Sequence, residues 1–334
     1  MNSAVGMKVL ALLIALQLGI AGIGVATVQG DSQSTGADSD GAATGQGAVA
    51  TVPGGGPAPS APGDPSATGQ PAPGGPPAAA GGGSPVDRGQ PPRPGTYRFR
   101  SQSEGYAGFS SSTTRFSGEQ ESSYRYEAAT GGPGDSRVRK HSVDESPEDD
   151  GVDFSGYEEY SWRGDGTFLL TEVSEFRRSR DGQEPTEERR ECDWQPDVPV
   201  YRFPLQAGAE WSWESKCTRR DGDSEETRTR TGTARVTGVR EHAVGGREVL
   251  AWVIERQDVQ MIHTRFNFPA PGGNESREST SRFESNATDL FAPAVGLEVR
   301  SEGRQKSESD GFSEDTRSSS DVTSTTELVS LDPT

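Results

Sequence analysis

The 334 residues carry 51 Asp and Glu against 33 Lys and Arg, a net charge of −18, and five of those acidic and three of those basic residues precede Tyr97. The remainder from Tyr97 onward, at −16, repels polyanions, which argues against nucleic acid as a partner because phosphate binding needs a basic face. All 24 aromatic residues also lie from Tyr97 onward, enough for one modest core rather than two.

The chain opens with a hydrophobic segment. Val9 to Val28 is free of charge, with Lys8 before it and Asp31 after it, the polarity of a segment that leaves its C-terminal side outside. Residues 1–29 therefore form a signal peptide or a signal anchor. Gly24-Val25-Ala26 offers small residues where a signal peptidase reads, so cleavage after Ala26 and retention as a membrane anchor both stay open. Initiation at Met1 or at Met7 is open too. No cysteine lies near, which excludes a lipidated N-terminal Cys. The expected location is extracytoplasmic, either secreted or held at the outer face of the plasma membrane.

Residues 30–95 are Gly, Ala, Pro, Ser, Thr and Gln with few charges and no aromatic. Such a stretch cannot bury enough apolar surface to offset chain entropy, and reads as a disordered tether with a reach of roughly 45 Å. The folded domain is expected over 96–334.

There the pattern turns to period two. Tyr97 and Phe99, then Tyr124 and Tyr126, alternate with polar residues; Tyr157–Trp162 and Phe168–Phe176 flank a turn at Gly164-Asp165-Gly166 and read as a hairpin. Further runs lie at 198–203, 211–217, 231–239, 249–257, 282–290, 296–304 and 321–331. The spacing predicts about ten strands with little helix. Strand after strand without crossover helices implies antiparallel pairing, and the polar alternate positions imply one wet face. The expected fold class is mostly β, a single antiparallel curved sheet or incomplete barrel; a two-sheet sandwich would need more inward aliphatic residues.

Cys192 and Cys217 are the two cysteines. In an oxidising compartment such a pair is expected to form a disulfide, tying the segment ahead of Val198 to the strand at Trp211.

Three local patterns stand out, each a turn followed by a strand: Phe203-Pro204-Leu205-Gln206-Ala207-Gly208-Ala209-Glu210-Trp211-Ser212-Trp213, Val236-Thr237-Gly238 leading to Val244-Gly245-Gly246-Arg247-Glu248-Val249, and Thr288-Asp289-Leu290-Phe291-Ala292-Pro293-Ala294-Val295-Gly296-Leu297-Glu298-Val299-Arg300. Here the chain resembles uncharacterised bacterial, more narrowly actinobacterial, exported envelope proteins, and its own preference for Arg over Lys with abundant Gly, Ala and Pro suggests a GC-rich bacterial genome. Phe291 stands where many of them carry Trp, and Arg240-Glu241 departs from the spacing of the second element. The resemblance implies a one-sided antiparallel sheet, loosely like lipoprotein carriers, and no known reaction. The glycines serve turns and the Trp and Leu serve packing, while Trp211, Trp213 and Trp252 form a candidate ligand face for an apolar molecule.

Chemistry-bearing constellations are thin. His141, His242 and His263 show no metal spacing, no G-x-S-x-G elbow occurs, and no cofactor motif is present. The acidic run Asp144 to Asp150 lacks the ligand spacing of a Ca²⁺ loop. No catalytic, cofactor-binding or metal-ligating residue is assigned. The expected function is a non-enzymatic envelope or secreted protein binding an apolar ligand or an envelope partner. A pocketless surface module is the alternative, and a carboxylate-dependent hydrolase the third reading.

Overall fold

The computed structural model describes residues 88–109, 112–143, 152–178, 186–221, 224–270, 273–311 and 317–334. The hydrophobic segment, all but the end of the tether and the Asp144 run lie outside the described residues. Twelve strands follow in chain order: β1 (Gly95–Phe109), β2 (Ser112–Ala129), β3 (Ser136–Val143), β4 (Val152–Arg163), β5 (Gly166–Arg178), β6 (Thr186–Arg202), β7 (Glu210–Asp221), β8 (Ser224–Val244), β9 (Arg247–Ala270), β10 (Gly273–Ala292), β11 (Leu297–Ser309) and β12 (Ser318–Leu328).

Each strand pairs antiparallel with its neighbours in sequence, and β1 pairs with β12 from Phe99↔Leu328 to Phe109↔Ser318. The sheet is thus a closed up-and-down barrel, which corrects the expectation of an open sheet or incomplete barrel. Contact between the first and last strands leaves no local trace in sequence. The expected strand count falls short because β3, Ser-Arg-Val-Arg-Lys-His-Ser-Val, holds too few apolar residues to register as a strand.

The alternation sets an inside and an outside. In β1, Tyr97, Phe99 and Ser101 are buried while Arg98, Arg100, Gln102 and Glu104 are exposed. Outward pairs such as Arg139–Glu159 at 2.9 Å and Arg189–Glu175 at 3.2 Å brace neighbouring strands from the solvent side. A lipid-facing barrel carries apolar side chains outward, the reverse of this arrangement. No helix among the described residues is long and apolar enough to cross a membrane.

One end of the barrel is plugged. Tyr97, Tyr126, Trp162, Tyr201, Trp211, Val236, Ile254, Phe291 and Leu297 belong to one buried cluster there. Rings meet edge-on at Tyr97–Tyr126 (5.5 Å) and stack at Tyr201–Phe291 (4.0 Å). The turns at this end are tight. β8 and β9 are joined by Gly245-Gly246, both at positive φ (56° and 78°), as a two-residue hairpin with this twist demands. Gly296, at φ 72°, sits where a Cβ would come within 2.0 Å of the Gln90 carbonyl. The final residues before β1, expected within the tether, pack across this end: Gln90 N–H bonds the Pro293 carbonyl at 3.3 Å, and Arg93 pairs with Asp332 at 2.9 Å. Toward the other end polar side chains share the inward positions, with Ser101, Ser281, Gln305, Ser320 and Ser324 buried beside Ile262, Phe283 and Val322.

The ladder is weakest between β6 and β7, where the described residues share a single register pair, Gln195↔Lys216. Pro196 and Pro199 remove two N–H donors from β6. The Cys192–Cys217 disulfide, Cα–Cα 5.5 Å and expected from sequence, spans this seam, and Trp211 Nε1 reaches across it to the Pro199 carbonyl at 3.3 Å. With a sequence separation of 25, the bond is expected to contribute about 3.5 kcal/mol on the chain-entropy account. The double variant Cys192→Ala/Cys217→Ala should unfold at lower urea with that loss, and hydrogen exchange should rise first in β6 and β7. An unchanged urea midpoint would remove the seam's dependence on the disulfide.

Candidate functional site

Above the aromatic plug, charged residues occupy inward positions on β3, β4, β5, β8, β9, β10 and β11, while β12, β1 and β2 turn none inward. The register sets them side by side: Tyr126↔Lys140 across β2–β3, Lys140↔Glu158 across β3–β4, and Glu158↔Glu172 across β4–β5. On the opposite wall β9 runs Trp252, Ile254, Arg256, Asp258, Gln260, Ile262 down one face, so its charges share the parity of its apolar residues.

Nearly every charge here has a partner. Lys140 Nζ donates to Glu158 Oε2 at 3.3 Å and lies 4.4 Å from the Tyr124 ring centroid, while the Tyr160 hydroxyl donates to the same carboxylate at 2.6 Å. Burial pulls the Lys140 ammonium down, but Glu158 and the phenols around it outweigh this and hold it well above its usual range. Arg230 pairs with Asp258 at 2.6 Å. Arg256 lies 3.6 Å from Asp289, donates to the Val200 carbonyl at 3.2 Å and faces the Tyr201 ring. Arg228 links Glu172 (2.9 Å) and Glu226 (2.6 Å), and Trp194 Nε1 donates to Glu172 at 3.2 Å. Burial raises Glu172 despite Arg228 and Arg230.

Glu298 is the exception. Burial, then the neighbouring Asp289, push its carboxyl up to about 8, against the pull of Arg256, Lys140 and the Tyr201 hydroxyl. It is therefore protonated at neutral pH.

Between plug and charges lies a cavity of about 140 Å³. Its wall is aromatic (Phe99, Tyr124, Tyr126, Tyr160, Trp162, Tyr201, Trp213), with Leu169, Val198 and Leu297 and the polar groups of Lys140, Glu158, Thr167, Arg230, Arg256 and Glu298. Of the expected ligand face, Trp213 lies on this wall, whereas Trp211 and Trp252 sit in the packed core and do not line it. Cys192 and Cys217 are buried in that core as a disulfide. No histidine lines the cavity; His141 stands on β3 against Tyr157 (5.3 Å) and Glu127. Among the described residues no group of three or more His, Cys, Asp or Glu is placed to hold a metal ion.

The charged wall escaped the sequence reading. Its signal was parity: Glu158-x-Tyr160-x-Trp162 and Arg228-x-Arg230-x-Gly232-x-Ala234-x-Val236 put charge in register with core residues.

The sequence matches no family model and no curated protein. Among solved structures, the hypothetical lipoprotein YmcC from Escherichia coli aligns over 71% of this chain and 86% of its own, at 11% identity and a TM-score of 0.24, which does not establish a common fold.

The raised Glu298 pKa links stability to pH. Between the ordinary carboxyl value and about 8, the folded chain holds a proton that the unfolded chain has lost, so this group makes stability fall as pH rises through that window and level off above it. Glu298→Gln should remove that fall. Urea midpoints at pH 5 and pH 8 should converge in the variant relative to wild type; an unchanged difference would mean that Glu298 is ionised at neutral pH.

Proposed function

We propose that this chain is an exported, non-enzymatic protein of a bacterial, actinobacterial envelope, secreted or held at the outer face of the plasma membrane, whose barrel binds an apolar-bodied ligand or a matching group of an envelope partner. The uncharged segment from Val9 to Val28 and the Cys192–Cys217 disulfide support the extracytoplasmic location. The observation that carries the binding reading is the aromatic-walled cavity of about 140 Å³. An apolar cavity of about 150 Å³ takes up benzene, so the group accommodated is the size of one ring rather than a long acyl chain.

A pocketless surface module is the second reading, favoured by the packing of Trp211 and Trp252 into the core. Trp162 and Trp213 on the cavity wall provide the test. Titration with one-ring probes (toluene, benzyl alcohol, benzoate) should change tryptophan fluorescence saturably with at least one of them. Leu169→Phe, which fills part of the cavity, should weaken that binding at least fivefold while leaving the unfolding free energy within about 1.5 kcal/mol of wild type. Absence of saturable binding by all three would leave the surface-module reading in place.

A further inference from the structure

The hydrogen-bonding inventory of the cavity wall is lopsided. Among its lining residues, Trp162 Nε1, Trp213 Nε1 and Thr167 Oγ1 are buried and have no hydrogen-bond partner, and Arg256 Nε has only the Asp289 carboxylate, at 3.6 Å, beyond hydrogen-bond reach. Both indoles belong to side chains more than nine-tenths buried. Indole and guanidinium nitrogens only donate, and a hydroxyl can donate as well, so what the wall lacks is acceptors. A buried donor left unmet keeps its full desolvation penalty, and a barrel that keeps several around one cavity is shaped for a group that brings acceptors with it.

Charge points the same way. Lys140, Arg230 and Arg256 line the cavity, and the Glu158 side chain on the same wall is already engaged by Lys140 and Tyr160. Asp258 and Asp289 pair with the arginines and are not among the lining residues. Glu298 contributes a proton rather than a charge below about 8. A carboxylate accepts only, carries several lone-pair sites, and forms its stronger hydrogen bonds with cationic donors.

We propose that the cavity recognises a small carboxylate on a body no larger than one ring, its oxygens accepting from Trp162 Nε1, Trp213 Nε1 and Arg256 while the ring packs among the aromatic side chains. This rests on the cavity-binding reading above and names the class of ligand. Four groups face Glu298 from other strands: Lys140 on β3, Tyr201 on β6, Arg256 on β9 and Asp289 on β10. When Glu298 ionises, its charge joins that of Asp289 beside the site and opposes an incoming anion, so binding weakens above pH 8.

The experiment uses the full chain, with calorimetry and fluorescence titrations of benzoate, benzyl alcohol and toluene. Benzoate should bind at least tenfold more tightly than benzyl alcohol at pH 7 and lose affinity between pH 7 and pH 9. Trp162→Phe and Trp213→Phe keep a ring and remove one donor; each should weaken benzoate about tenfold and toluene less than twofold. Glu298→Gln should bind benzoate with little change between pH 7 and pH 9. Equal affinity for benzoate and benzyl alcohol would overturn carboxylate recognition and leave cavity binding standing, whereas saturation by none of the three would overturn both.

Discussion

Pairing of β1 with β12 is the constraint on which the remaining structure depends. An open sheet of this sequence would present Lys140, Glu158, Arg230 and Asp258 on a face washed by solvent, where their attractions are weak and easily screened. Closing the ring moves them indoors. There each ion needs a partner, because desolvation costs several kcal/mol per charge and only good geometry offsets it. The pairing of nearly every interior charge, and the retention of a proton by Glu298, follow from that one closure.

A buried ionic layer is a doubtful source of net stability, but it disfavours alternatives. Slipping one strand by a single residue would turn its inward charges outward and drive their neighbours in, leaving Arg256 without Asp289 or Lys140 without Glu158. The aromatic plug supplies the burial and the ionic layer supplies the register. Where neither reaches, between β6 and β7, a covalent bond holds the seam.

Much of this architecture was legible in the residues. Alternation at Tyr97/Phe99, the Gly164-Asp165 turn, the Gly245-Gly246 hairpin and the cysteine pair each carry a local signature, and each stands where that signature put it. Three things carry none. The β1–β12 ladder joins residues more than two hundred positions apart. The polar stretches of β1 and β12 turn mainly serines and threonines inward, and the first half of β2 is exposed on both faces, so little hydrophobic alternation marks them. The charged wall is written in arginines and glutamates that, in a chain so rich in both, look like solvent-facing positions until their parity is set against the core. The tryptophans were conspicuous in composition, yet only assembly of the barrel separates Trp213 at the cavity from Trp211 and Trp252 in the packing.

The residues that bound the barrel are tied to each other. Thr96 and Thr334 exchange backbone hydrogen bonds in both directions, at 3.1 and 3.0 Å, so the path of the chain through the twelve strands comes back to where it began. Such a fold has no privileged first strand. Joining residues 96 and 334 through a short linker and cutting at the exposed Gly164-Asp165 turn would yield a permuted barrel with the same strand neighbours, without the Gln90–Pro293 and Arg93–Asp332 contacts across the plugged end, its attachment point carried a third of the way around the ring.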